Sequence, residues 1–581
     1  MSSVIQYVVY VAILVAAALP LGSYIAKAMN GERVFLSPAL VPCENAIYRI
    51  LGVDKDEEMS WKYYALCVLV FSAVCLAGLT AMLMLQGHLP LNPQKLPGLG
   101  WHLAFNTAAS FVTNTNWQAY SGENTLSYFS QSLGLTVQNF VSAGAGIAVL
   151  FALIRGIVRV RSKGVGSFWT DITRAVLYVM LPLSLIVAVA LVSQGVMQNY
   201  SSYETVELME PIVLDDGAKV SRQVVPMGPQ ASQVAPKQLG TNGGGYNGAN
   251  SANALENPTP FSNLLELLSL LMIPAALCFS YGRGVKDKRQ GRAVFLAMFI
   301  VLAASLAIVG YYEQAATPQL AQGGNVDLGT VMQPGGNMEG KESRFGIASS
   351  AAWAVFTTAA SNGSVNSMHD SYTPIGGLVP MLLMQLGEVI FGGVGCGLYG
   401  MIGFVILTVF IIGLMVGRTP EYLGKKIEPF EMRMAVLVCL ATPVAILAGC
   451  GIAALVPSVP ASMNDPGPHG FSELLYAFSS AGGNNGSAFA GFNANTPFLN
   501  SALGLVMIFA RFVPMTATLA IAGSLAGKRR APESAGTLST CNMTFVFLLI
   551  LIVLLIGALS FFPALALGPV VEHLRMFRKT F

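Results

Sequence analysis

Residues 105–116 read FNTAASFVTNTN, residues 356–366 read FTTAASNGSVN, and residues 478–489 read FSSAGGNNGSAF. A fourth stretch, GTNGGGYNGANS at 240–251, shares the Asn-Gly end without the Phe-led start. With Asn114, Gly243, Gly363 and Gly486 as equivalent points, the spacings are 129, 120 and 123 residues. A period that steady implies four related units. Three of the phrases follow or include a moderately apolar stretch, at 101–112, 346–359 and 471–481. Those stretches are too short to cross a bilayer, which takes roughly 20 residues, and read as re-entrant half-helices. The unit is therefore span, half-helix, polar loop, span.

Working outward, apolar runs long enough to cross lie at about 4–28, 63–85, 132–157, 175–194, 261–281, 292–312, 377–416, 434–456, 498–525 and 541–567. The first has no basic segment ahead of it and no small-residue cleavage site, so it reads as a retained helix. The seventh is too long for one straight crossing and carries Gly392, Gly393, Gly395, Gly397 and Gly400 near its middle. It is predicted to break inside the membrane, where unwound backbone persists only when buried in protein or facing a wet cavity. Composition agrees: 54% of the 581 residues are apolar and 10% charged, against roughly 25% charged in soluble domains. A soluble enzyme, a disordered chain and a nucleic-acid binder are excluded, the last because 32 Lys and Arg face 29 Asp and Glu. Eight cysteines are scattered singly without a CxxC pair and read as small hydrophobes.

Basic residues cluster after spans three (Arg155 to Arg174), five (Arg283 to Arg292), seven (Arg418 to Arg433) and nine (Lys528 to Arg530). If ten spans alternate, these loops share one side. The positive-inside rule makes that side cytoplasmic and puts the N-terminus outside. The tail residues Arg575, Arg578 and Lys579 run against the rule, and four agreeing loops outweigh them.

The repeated loops are informative by what they lack. Over 113–118, 241–246, 361–365 and 484–487 there is no Asp, Glu, Lys, Arg or His. Gly tolerates positive φ and Asn tolerates it better than most residues, so successive carbonyls can turn toward one point. Four such loops make a ring of neutral oxygens able to replace a cation's hydration shell. Half-helices ending at the ring add negative potential. A weakly hydrated monovalent cation suits this chemistry better than a divalent one. Singly, each loop is also compatible with an ordinary turn; a common period behind short half-helices is not.

The motifs VTNTNWQAYSGE (112–123), GTNGGG (240–245), TTAAS (357–361), GEVIFGGVG (387–395), GRTPEYLGKKIE (417–428) and NNGSAFAG (484–491) resemble those of the potassium-binding A-subunit family of the Kdp potassium-transporting P-type ATPases, in the same order. The resemblance implies an all-α polytopic membrane protein of the potassium-transporter superfamily. It would have four pseudosymmetric span–pore-loop–span repeats around a central pore, an extra N-terminal helix and about ten transmembrane helices. It also implies capture of external K⁺ in a selectivity filter and passage through an intramembrane tunnel to a catalytic ATPase B subunit. A small C subunit and a very small F subunit would complete the complex, in a bacterial inner membrane. Carried over by position, the filter would use Thr113, Asn114, Thr115, Asn116 and Gln118; Thr241, Asn242 and Gly243; Ser361, Asn362 and Gly363; and Asn484, Asn485 and Gly486. In this reading the first unit has Asn114 where the others have glycine. The chain has no DKTG and no G-x-x-x-x-G-K-[ST] motif, so it binds no ATP itself and energy comes from another chain.

The expected division is 1–60 (N-terminal helix and loop), then repeats at 61–160, 161–285, 286–425 and 426–581. Two ionisable residues in the spans, Glu388 and Arg511, are candidates for the ion path, with a structural salt bridge as the alternative. Gly392, Gly393 and Gly395 are candidates for a mobile loop below the filter, with close helix packing as the alternative. A free-standing channel or symporter, and a membrane-embedded enzyme, are the competing functions. The five His show no metal-motif spacing, which disfavours the enzyme.

Overall fold

Hydropathy alone places most helices, and short polar caps with prolines fix their starts. The computed structural model describes residues 3–215, 217–315, 317–318, 329, 335–387, 389–532 and 538–577. Ten helices among these residues are long and apolar enough to cross a membrane. In chain order the elements are α1 (Ser3–Met29), α2 (Ser37–Leu51), α3 (Trp61–His88), α4 (Trp101–Val112), α5 (Ser130–Val158) and α6 (Phe168–Ser193). A hairpin of β1 (Glu204–Val213) and β2 (Lys219–Val225) follows, then α7 (Gln230–Leu239), α8 (Pro260–Gly284), α9 (Lys288–Gln314) and α10 (Gly346–Ala359). The rest are α11 (Pro374–Gln385), α12 (Cys396–Met415), the two-residue strands β3 (Glu421–Tyr422) and β4 (Lys425–Lys426), α13 (Pro429–Ala454), α14 (Pro468–Gly482), α15 (Pro497–Gly527), α16 (Met543–Leu565) and α17 (Val571–Met576).

Helix starts follow their sequences. Thr259, Thr373, Thr496 and Asn542 each accept a hydrogen bond from the backbone N–H three residues on, satisfying donors that a helix leaves open. Pro260, Pro374, Pro429 and Pro497 occupy the first helical position, where a missing N–H costs nothing.

The span–half-helix–span unit occurs four times: α3-α4-α5, α6-α7-α8, α9-α10 with the broken α11/α12, and α13-α14-α15. The seventh run breaks as expected, with nine described residues, all non-helical, between α11 and α12. Two membrane-length helices lie outside the units. α1 packs on α8 through Tyr10, Leu14, Ala18, Gly22, Ile25 and Met29, one face at helical spacing, and Ser280 Oγ donates to Gly22 O at 2.8 Å. α16 packs against α9 and α12. Between lipid-like surfaces there is little hydrophobic drive, so small residues that let backbones approach decide such contacts. The inner helices α5 and α8 are buried almost throughout, whereas α1, α6 and α16 keep wide apolar faces uncovered.

The basic loops meet at one end of the bundle, as ten alternating spans require. Lys425 Nζ donates to Gly156 O at 3.2 Å and also to Arg159 O and Leu525 O. Met59 N–H donates to Gly166 O at 3.0 Å, and Tyr281 meets Tyr422 hydroxyl to hydroxyl. Loops one, three, five, seven and nine are thereby tied together. At the opposite end, Glu572 of α17 lies 2.9 Å from His469 at the start of α14. The tail segment with Arg575 therefore sits away from the basic loops.

Candidate ion-binding site

Each half-helix ends in one and the same turn, and the turn sets the register of the loop that follows. The N–H of Thr115 donates to Ser110 O at 2.8 Å, Asn242 to Lys237 O at 2.9 Å, Asn362 to Thr357 O at 2.9 Å, and Asn485 to Ser480 O at 2.8 Å. The residues on either side of each donor have positive φ: Asn114 and Asn116, Thr241 and Gly243, Ser361 and Gly363, Asn484 and Gly486. This corrects the sequence register. Asn116, not Asn114, is the partner of the three glycines, and the spacings become 127, 120 and 123 residues. Two Asn residues alternating with Thr in TNTN offer two registers that composition does not separate.

The four loops close into a ring. A methyl group on Gly243, Gly363 or Gly486 would overlap the carbonyl oxygen of Asn362, Asn485 or Thr115 respectively, each in the next loop. The fourth junction is made by a side chain: Asn116 Nδ2 donates to Gly243 O at 2.9 Å and to Asn139 Oδ1 of α5 at 2.7 Å. Further amides brace the ring from outside. Asn114 Nδ2 donates to Thr241 O at 2.8 Å, Asn362 Nδ2 to Lys237 O at 3.1 Å, and Asn485 Nδ2 to Thr357 O at 2.8 Å. Asn484 Nδ2 donates to Thr115 Oγ1 at 2.9 Å, Ser361 Oγ to Gly483 O at 3.0 Å, and Thr113 Oγ1 stands 2.8 Å from Thr115 Oγ1. Asn242 packs its amide against that of Asn114. Gln118 exchanges two bonds with the main chain of Gly245, at 3.0 and 2.7 Å. All of these residues are buried except Gln118 and Gly486, which are partly exposed. Every expected filter residue thus falls in one contiguous ring.

The intramembrane loop lies against that ring. Val394 N–H donates to Thr241 Oγ1 at 2.8 Å and Gly393 N–H to Ala360 O at 2.8 Å. Gly395, at φ 89°, touches Gly146 of α5 backbone to backbone, so a side chain on either would displace the loop. Gly392, like Gly393 and Gly395, is buried. Arg511, 4% exposed, lines a small cavity with Asn484 of the fourth loop and Gly387, Cys396, Tyr399 and Thr442. Glu388 lies outside the described residues.

Hydropathy missed α7, the second half-helix, which only the family resemblance implied, because QASQVAPKQL is too polar to look like a membrane element. It is buried in protein rather than lipid. Lys237 Nζ reaches Glu256 at 2.6 Å and Asn250 Oδ1 at 2.9 Å, and Gln238 Nε2 donates to Glu266 Oε2 at 2.8 Å and Ser364 Oγ at 2.8 Å. A lysine buried with its carboxylate replaces the hydroxyl or small side chain found at Ser110, Thr357 and Ser480. Glu266, in the fifth span, and Asn139, in the third, were detectable as polar residues interrupting apolar runs.

A family model described as potassium-transporting ATPase A subunit matches residues 8–574. The chain is 68% identical, over 99% of its length and 100% of the relative's, to the potassium-transporting ATPase potassium-binding subunit of Clostridium botulinum (strain Eklund 17B / Type B). It is 64% identical, over 99% of both chains, to the protein of that name from Desulfovibrio desulfuricans. Among solved structures it resembles the potassium transporter TrkH from Vibrio parahaemolyticus, with a TM-score of 0.52 and 14% identity, covering 87% of this chain and 97% of the other. That likeness concerns the fold.

Proposed function

Because this chain belongs to the potassium-transporting ATPase A subunit family, we propose that it is the potassium-binding subunit of such a pump and that the ring of four loops holds the ion. The observation that carries this reading is the repetition of one turn at four places, over 113–118, 241–243, 361–363 and 484–486, with each loop touching the next. Neutral main-chain oxygens replace the hydration shell of K⁺, and the half-helix ends add negative potential there. The ion enters from outside, through the end of the bundle opposite the basic loops, and the N-terminus lies on that outer side of a bacterial inner membrane. The loop around Gly392, Gly393 and Gly395 blocks a straight exit and turns the ion sideways through an intramembrane tunnel, with Arg511 and Glu388 shaping its electrostatics. ATP is hydrolysed by a separate B subunit, with C and F subunits completing the complex. The chain divides at 60, 160, 285 and 425.

The test is equilibrium binding to the purified complex. K⁺ should bind with strong preference over Na⁺, and Gly363→Ala should abolish that preference while the protein still assembles. Equal binding of K⁺ and Na⁺ by the unaltered complex would refute the proposal.

A further inference from the structure

Away from the ring, at the end of the bundle opposite the basic loops, four ligand-type side chains converge. Asp370 follows the third loop, Asp465 and His469 lie at the start of α14, and Glu473 lies one turn further along it. One ligand atom from each lies within 4.8 Å of the others. Asp370 and Glu473 are buried, the latter completely, while Asp465 and His469 are half-buried.

Two further observations point to a ligand. Glu473 Oε2 accepts from Asn464 N–H at 2.9 Å, but its Oε1 is buried and has no hydrogen-bond partner. A buried carboxylate oxygen without a donor is costly, and a cation relieves that cost. Second, both nitrogens of His469 face carboxylate oxygens. Nδ1 lies 2.9 Å from Glu572 Oε1 of α17, while Nε2 faces Asp370 Oδ1 at 3.0 Å. A metal-bound histidine characteristically gives its other ring N–H to a carboxylate, which fixes tautomer and ring orientation. The charge balance agrees: four carboxylates surround one imidazole, with the Arg575 guanidinium at the edge beside Gly467.

We propose that Asp370, Asp465, His469 and Glu473 bind one divalent metal cation of the Mn²⁺ or Zn²⁺ type, with Glu572 holding His469 in place. Mixed carboxylate and imidazole donors suit these ions better than Mg²⁺ or Ca²⁺, which prefer oxygen alone. A metal on Nε2 takes the place of any proton between Nε2 and Asp370, which leaves to solvent. The site would join the segment after the third loop to the half-helix of the fourth. Tyr476, one turn beyond Glu473, already contacts His369 Nδ1 and Ser487 Oγ, each at 2.8 Å.

The experiment is a Mn²⁺ titration of the purified, chelator-stripped full-length protein, following loss of the free Mn²⁺ signal by electron paramagnetic resonance, with Zn²⁺ as competitor. One Mn²⁺ per chain should bind and be displaced by Zn²⁺. Glu473→Gln and Asp465→Asn should each weaken binding at least about tenfold, and Glu572→Gln by about 10–100-fold, as expected for an orienting carboxylate. Metal-free melting temperature and K⁺ binding serve as controls for folding. Half-buried Asp465 supplies the decisive variant if Glu473→Gln does not fold. Less than about 0.1 Mn²⁺ or Zn²⁺ per unaltered chain, or unchanged binding by Asp465→Asn, overturns the proposal.

Discussion

Asn116 occupies the position that glycine holds in the other three loops, and it does two jobs there. Its backbone takes positive φ (55°), which Asn tolerates, and its side chain spans the junction that the glycines make by close approach. Gly363 and Gly486 are bound more strictly, at φ 91° and 102°, with a carbonyl where a Cβ would go. An L-residue there costs about 1–2 kcal/mol in backbone strain before any overlap is counted. Gly486→Ala is therefore expected to weaken apparent K⁺ affinity at least about tenfold, read from K⁺-dependent ATPase activity of the complex. Asn116→Gly should keep the backbone and lose the side-chain junction, and is expected to show the smaller loss. No loss at all with Asn116→Gly would mean that the Asn116 amide adds nothing to the ring.

At the scale of elements, the loop between α11 and α12 is held by two hydrogen bonds to the ring and by the Gly395–Gly146 contact. Deleting 392–397 should either abolish uptake or open a K⁺ leak, measurable as ATP-independent ⁸⁶Rb⁺ flux into vesicles; an unaltered pump would rule out a blocking role. The helix α2, at the basic end, is tethered differently. Glu44 accepts from Tyr48 at 2.8 Å, Tyr178 at 2.7 Å and Arg174 at 2.9 Å. Burial by itself would raise this carboxyl's pKa, but those donors outweigh it and hold it below the ordinary value. A carboxyl with a lowered folded pKa adds stability that is complete above the unfolded value of about 4.3 and is lost as pH falls through the folded one. Amide protection of α2 should thus persist at pH 6 and disappear on acidification below the ordinary carboxyl range, whereas Glu44→Gln should lose it at both.

For the whole molecule, the basic end acts as a clamp. Lys425 places one ammonium on the terminal carbonyls of α5 and α15, from two different repeats. These are acceptors a helix C-terminus leaves open, and a cation there also meets the favourable end of the helix dipole. Burial, with Arg530 and Lys528 nearby, pushes its pKa down to about 8. Lys425→Met should lower the melting temperature in detergent, with a loss of about 1–3 kcal/mol for the buried acceptors left open. Filter selectivity should be unchanged, since the ring lies within the bundle and is braced by its own amides.

Much of this was legible in the chain. The ten crossings, the break in the seventh and three of the four half-helices follow from hydropathy and length, because partitioning into lipid depends on a local run of residues. The repeat marked the four polar loops by their Gly, Asn, Ser and Thr, and the family resemblance supplied the individual residues that fall in the ring. Other features needed the tertiary structure. The polar half-helix α7 meets only protein, so lipid hydropathy does not report on it. The register of TNTN depends on which Asn meets Gly243 across the ring. The cluster around Glu473 joins residues about a hundred positions apart, so only the packing of α14 and α17 against the third-loop segment makes it a site. Local composition fixes what each segment can tolerate, and packing decides which atoms of distant segments come within bonding range.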